Sequence, residues 1–260
     1  MFSQNLTWGA PPEGFEKLSD GNGNRMIVRR GREGEIDFSV CSRCDVGAQD
    51  SGHQGRGALR RLKFSDGETA LVRQYRHGGT LRGVTGQWFF TWPPRPFREL
   101  SVTEELRRRG VRTLEVYAAC VRRGYGPFYR GCLITRELRN AEDLWSALQS
   151  GLVERLGWPA TLRAVAESVR TMHGQGVYHS DLNLKNILLR QEAGEAVSYI
   201  IDFDKAKLFL GKLRGELVKS NLDRLLRSIN KLDPQRKYFS APAWAEFSKF
   251  YHGEIGRAHV

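Results

Sequence analysis

The arrangement of apolar and polar positions changes character halfway along the chain. Ala58 to Phe64, the turn Ser65-Asp66-Gly67-Glu68, and Thr69 to Tyr75 predict a strand, a tight turn and a second strand, with Asp-Gly as the hairpin signal. Pro93, Pro94 and Pro96 argue against helix before Phe97. Phe97 to Arg109 then reads as a helix that stops at Gly110, and Leu114–Val121 and Tyr129–Thr135 read as two further strands. In the second half, Leu162, Val165, Ala166, Val169, Met172 and His173 form one apolar stripe at helical spacing, opened by Trp158-Pro159-Ala160 and ended by Gly174 and Gly176. Short strands follow at Ile187–Leu189 and Val197–Phe203. A helix is marked by Leu222, Leu225, Leu226 and Ile229, with Arg224, Arg227 and Lys231 on its polar side, and a closing helix by Trp244, Phe247, Phe250 and Tyr251. Gly21, Gly23, Gly31 and Gly34 break any long element in the first forty residues. Sheet first and helices second predict an α+β fold of two lobes with a cleft between them: an antiparallel sheet lobe with one main helix over 53–136 and a mainly helical lobe over 137–253. The segment 1–52 carries no assignment.

Length and composition narrow the class. The 260 residues suffice for one large domain or two small lobes, and 40% hydrophobic with 27% charged residues excludes a mainly disordered chain. No apolar run reaches the roughly 18 residues that span a membrane. The start, MFSQNLTWGAPPEGFEK, has neither the basic nor the apolar region of a signal peptide. Lys plus Arg minus Asp plus Glu is 41 − 29 = +12, which favours an anionic partner. Cys41 and Cys44 form a lone C-x-x-C with His53 nearby but no second pair, so reduced thiols are expected rather than zinc, and a reducing cytosol is the default compartment. The closing run 254–260 reads as translated sequencing-adapter nucleotides and is left out of fold reasoning.

The chemistry concentrates in His179-Ser180-Asp181-Leu182-Asn183-Leu184-Lys185-Asn186. This fits H-x-D-L-x-x-x-N, the catalytic loop of protein-kinase-like enzymes, with Ser180 where Arg is usual. A hydroxyl is a poor nucleophile, so a carboxylate at Asp181 is placed to orient it and take its proton, while the Asn186 amide reaches a metal ion. His179 is expected to support the loop. Lys185 is expected either to touch the transferred phosphoryl group or to be solvated. Downstream, Tyr199-Ile200-Ile201-Asp202-Phe203-Asp204 is an apolar strand ending in an acid, a D-F-G-like segment in which Asp202 would bind Mg²⁺ on the nucleotide phosphates. Asp204 is expected to hold a turn rather than a second metal. Gly55 and Gly57 are candidates for backbone approach to phosphate. Arg73 stands where a phosphate-binding Lys is usual, Glu99 is its candidate ion-pair partner, and Glu137 falls where the lobes join and adenine would bind.

Four stretches together (Val72–Gly79, Thr135–Leu144, His179–Leu189 and Ile201–Lys205) resemble the lipopolysaccharide kinase family, from about Gly55 to Tyr251. Arg at position 73 departs from protein kinases but is similar to the branch of that family acting on 3-deoxy-D-manno-octulosonic acid (Kdo). The resemblance implies a bilobal protein-kinase-like fold, ATP and Mg²⁺ as cofactors, and phosphorylation of a Kdo hydroxyl on a lipid A precursor. It also implies work at the cytoplasmic face of the bacterial inner membrane. Only 16 residues separate Asp204 from Asn221, with no A-P-E segment, which leaves little room to bind a peptide and favours a glycolipid or small acceptor. Arg76, His77, Arg82, Arg224 and Arg227 are candidates to meet acceptor or lipid charge, and Trp88, Phe89, Phe90 and Trp92 to rest on lipid or sugar. No stacking motif interleaves with the basic residues, so nucleic acid is not expected. The rival readings are a heptose kinase, an aminoglycoside-type phosphotransferase and an inactive kinase-like scaffold.

Overall fold

The computed structural model describes residues 11–42, 59–76 and 87–253, with the side chains of 41 and 42 outside the description. Contacts divide the chain into two compact units, one of Ser3–Glu105 with Leu114–Glu137, the other centred on Leu106–Thr113 with Leu138–Val260.

The first unit is a six-stranded antiparallel sheet. Its elements are β1 (Phe15–Ser19), β2 (Arg25–Arg29), the short α1 (Phe38–Ser42), β3 (Leu59–Lys63), β4 (Thr69–Gln74), α2 (Arg95–Arg108), β5 (Val116–Arg123) and β6 (Tyr129–Arg136), in strand order β1-β2-β5-β6-β4-β3. The central strands β5 and β6 are buried on both faces, because consecutive apolar residues point to opposite sides of the sheet. Ile27, Ala119, Val121 and Leu133 join Leu100 of α2 on one side, while Met26, Val28, Ala118, Cys120, Val72 and Ile134 join Ile36 and Val40 on the other. Arg73 and Tyr75 share the α2 face.

The first forty residues contain a hairpin that glycine spacing hid. The Asp20 carboxylate accepts hydrogen bonds from the backbone of Asn22 (3.0 Å) and of Asn24 (2.9 Å) and holds the turn between β1 and β2. The glycines there are punctuation between strands. Helix α2 also starts two residues before Phe97, since Pro96 falls in its first turn, where a missing N–H costs nothing. Cys132 on β6 is disulfide-bonded, while the side chains of Cys41 and Cys44, for which reduced thiols are expected, lie outside the described residues. Gly55, Gly57, His53, Cys44, His77, Arg82 and residues 254–260 lie outside the described residues.

The second unit contains β7 (Glu142–Asp143), α3 (Leu144–Gln149), α4 (Leu152–Leu156), α5 (Trp158–Gly174), β8 (Val177–Tyr178), β9 (Ile187–Glu192), β10 (Glu195–Ile200), β11 (Lys207–Leu208), α6 (Gly215–Leu232) and α7 (Ala241–His252). The stripe on α5 is buried as its period predicts. Gly176, just past it, has φ +73°, and a Cβ there would sit 2.2 Å from the Gly211 carbonyl oxygen, so only glycine fits. Strands β9 and β10 form a hairpin through Ala193 and Gly194, both at positive φ, as in a type I′ turn. The predicted strand to Phe203 ends instead at Ile200, because Asp202 takes a left-handed conformation at φ 68°. No helix among the described residues is long and apolar enough to cross a membrane.

Candidate active site

In the helical unit, two polar segments are pinned at both ends. The loop 179–186 leaves β8 and enters β9. The segment 201–206 leaves β10 and enters β11, which pairs back onto β8 through Lys207 and Leu208. One imidazole ties them together. His179 Nε2 lies 3.0 Å from the Ile201 carbonyl and donates to it, while Nδ1 accepts the Asp181 backbone N–H at 3.1 Å. Both partners fit only the neutral ring protonated at Nε2. Burial lowers the pKa of His179, against the raising influence of the Ile201 carbonyl, Asp202 and Asp181. The ring also contacts buried Phe203, with centroids 5.1 Å apart.

The three candidate chemical groups are gathered by the same network. The Asn186 amide donates to the Asp181 carbonyl at 2.8 Å, and the Asn186 carbonyl accepts the Ile201 N–H at 3.0 Å. With its nitrogen directed at Asp181, the Asn186 side chain has its oxygen left over. Asp181 is exposed, held entirely through its backbone, and Asp202 follows directly on Ile201. Ser180, in place of the usual Arg, donates its hydroxyl to the Lys205 carbonyl at 2.6 Å, a second link between the segments. Asp204 is buried in a turn, in line with the expectation. Lys185 is half-buried, its backbone N–H on Asn183 Oδ1 at 2.9 Å.

A residue that sequence reasoning missed anchors the loop. Asn221 of α6 is completely buried. Its Oδ1 accepts the His179 backbone N–H at 3.0 Å, and its Nδ2 donates to the His179 carbonyl at 2.9 Å. His173 of α5 donates Nε2–H to the same Oδ1 at 3.2 Å and accepts the Tyr251 hydroxyl of α7 on Nδ1 at 2.7 Å. Three helices thus hold one peptide. The available signal was a polar residue on the buried stripe of α6, four and eight positions before Leu225 and Ile229. Asn221→Ala is expected to destabilise the chain by roughly 1–3 kcal/mol, since three buried groups lose their partner. It is also expected to lower turnover more than it raises the KM for ATP. Urea melts and steady-state kinetics check both.

This network makes stability depend on pH. Burial lowers the pKa of His173 from 6.5 to about 4. Between those values the unfolded ring binds the proton and the folded ring does not, so stability is complete above about pH 6.5 and is lost as pH falls toward 4. His179 shifts in the same direction. Going from about pH 7 to about pH 5 is expected to cost about 2 kcal/mol through His173 alone. Urea midpoints check this, and His173→Gln should flatten the dependence.

In the sheet-rich unit, described by itself, Arg73 of β4 contacts both Glu99 oxygens at 2.6 Å. Glu99 is 2% exposed and also accepts the Tyr75 hydroxyl. The predicted pair therefore exists, and it fixes the guanidinium of a side chain that is still one-third exposed. The Glu137 carboxylate, by contrast, is taken by Arg61, whose Nε lies 2.9 Å from both of its oxygens. Its backbone N–H donates to the Thr69 carbonyl at 2.8 Å. The aromatic run splits: Phe89 is core, packed on Tyr75 and Tyr129, whereas Trp88, Phe90 and Trp92 are exposed. Arg76 and Arg227 are exposed, and Arg224 is half-buried.

An antiparallel sheet carrying an Arg–Glu pair, and a helical unit carrying a tethered Asp, Asn and Asp in that order, define a kinase-like phosphotransferase. The lipopolysaccharide kinase (Kdo/WaaP) family profile matches residues 49–251, and the chain belongs to that family. It is 31% identical over 208 residues to a 3-deoxy-D-manno-octulosonic acid kinase of Haemophilus influenzae (strain 86-028NP), covering 76% of this chain and 83% of the relative. It is 33% identical over 204 residues to the protein of that name in Vibrio cholerae serotype O1, covering 77% and 82%. Among solved structures, WaaP in complex with acyl carrier protein shares the fold, with a TM-score of 0.56 at 20% identity over 88% of this chain and 89% of that one.

Proposed function

We propose that the chain transfers the γ-phosphoryl group of ATP to a hydroxyl of Kdo on a lipid A precursor. The observation that carries the proposal is the tethered trio of Asp181, Asn186 and Asp202 in a chain about 30% identical to Kdo kinases over most of its length. In this reading Asp181 receives the acceptor hydroxyl and takes its proton as the oxygen attacks the γ-phosphorus. Asn186 and Asp202 hold Mg²⁺. An amide oxygen and a carboxylate suit a hard cation, and two protein ligands are what a magnesium ion shared with phosphates and water requires. Such an ion neutralises the charge that develops on the phosphates. Arg73, oriented by Glu99, binds nucleotide phosphate, and Lys185 approaches the transferred group. Gly55 and Gly57 are assigned to the phosphates and Glu137 to the base.

A Kdo-bearing lipid A precursor is an anionic glycolipid, and a net charge of +12 with exposed Trp88, Phe90 and Trp92 suits a peripheral protein on an anionic bilayer. ATP as donor puts the reaction on the cytoplasmic face of the inner membrane. The Cys132 disulfide argues the other way, being uncommon in a reducing compartment. The donor decides, because without ATP there is no reaction. The test is a panel of acceptors offered with Mg·ATP: Kdo-lipid A, a heptosylated core and an aminoglycoside. One added phosphate on the first alone is expected. Phosphate on either of the others alone would replace this acceptor assignment.

A further inference from the structure

The sheet-rich unit holds a cavity of about 1010 Å³, and every described residue lining it belongs to that unit. Its walls come from the α2 face of β2 and β5 (Ile27 and Val121) and from the start of α2 (Phe97). Phe90, Trp92 and Phe128 also line it, yet they are 68%, 66% and 46% exposed. The rings of Phe90 and Phe128 lie 6.0 Å apart. The volume is at the upper end of the roughly 300–1,000 Å³ typical of small-molecule sites. Large aromatics left in water around an apolar hollow mark a surface meant to be covered.

The charges lining the cavity have one sign. Lys17, Arg25 and Arg123 line it, and among the described residues no acid does. The nearest acids in sequence are already engaged: Asp20 holds the β1–β2 turn, and Glu16 pairs with Arg30 at 3.4 Å. An apolar hollow with cations around it complements a molecule with an apolar tail and an anionic head. We propose that this cavity takes a fatty acyl chain of an anionic membrane lipid, with the head group against Lys17, Arg25 and Arg123. The proposal rests on the membrane-surface reading above and gives it a place on the molecule. The exposed aromatics would then sit at the boundary between head groups and chains, where aromatic side chains are favoured.

The full chain is titrated with cis-parinaric acid, a fluorescent fatty acid, and sedimented with phosphatidylglycerol or phosphatidylcholine vesicles. Saturable fluorescence is expected, displaced by palmitate but not by the uncharged hexadecanol, with sedimentation on phosphatidylglycerol only. Reversing two cations in Arg25→Glu/Arg123→Glu should weaken both signals about tenfold or more. Val121→Trp, on the α2 face that walls the hollow, should fill it and abolish parinaric acid binding. If Val121→Trp does not fold, the charge-reversal pair decides alone. All variants are expected to phosphorylate an acyl-free Kdo glycoside normally, which separates this proposal from the kinase reading. Parinaric acid binding without Kdo phosphorylation would overturn the kinase reading and leave the cavity assignment standing. No saturable binding, or binding unchanged in the charge-reversal pair, would overturn the cavity assignment.

Discussion

Asp202→Asn is expected to lose both Mg·ATP binding and phosphoryl transfer, with turnover falling by about a thousandfold or more, as when a principal stabiliser of phosphoryl charge is removed. The choice of asparagine matters. Asp202 has φ 68°, a left-handed conformation that Asp and Asn tolerate and alanine resists. Asp202→Ala would mix lost charge with backbone strain of about 1–2 kcal/mol. Asp202→Asn keeps the backbone and removes the charge, so a folded chain without magnesium-dependent nucleotide binding is the expected result. Thermal shift with ATP, with and without magnesium, reads it.

Asp181→Ala is expected to behave differently: transfer falls by roughly 10²–10⁴-fold while Mg·ATP still binds. The reason lies in how the residue is held. Its N–H is on His179 at 3.1 Å, and its carbonyl accepts Asn183 at 2.9 Å and Asn186 at 2.8 Å. All three bonds are to the backbone, so deleting the carboxylate leaves the loop intact and removes only the group that would meet the acceptor. A variant that bound nucleotide normally and turned over normally would remove Asp181 from the chemistry.

The sequence showed most of what positions the site, for identifiable reasons. The β3–β4 hairpin, α5, α6 and α7 follow from alternation and from helical stripes, since those elements bury one face. Arg73 and Glu99 pair by their places, on a strand where a phosphate-binding Lys is usual and on the helix that follows it, and the structure joins them. What stayed hidden has long-range causes. β1 and β2 are five residues each; β2 owes its place to pairing with the distant β5, and β1 to pairing with β2, which no local pattern reveals. The left-handed turn at Asp202 ended a strand that apolar content alone would have extended to Phe203. Glu137 looked available until Arg61, distant in sequence, took its carboxylate. Asn221 acts through contacts 42 residues away, so its role needed coordinates.

The central claim is that one exposed carboxylate in a tethered loop drives phosphate from ATP onto Kdo. It is tested most directly by following radiolabelled γ-phosphate from Mg·ATP into Kdo-lipid A with the native chain and Asp181→Ala side by side. Label in the glycolipid with the native chain, and almost none with a variant that still binds the nucleotide, is the result this account requires. Equal labelling by both, or none by either while nucleotide binds, would contradict it.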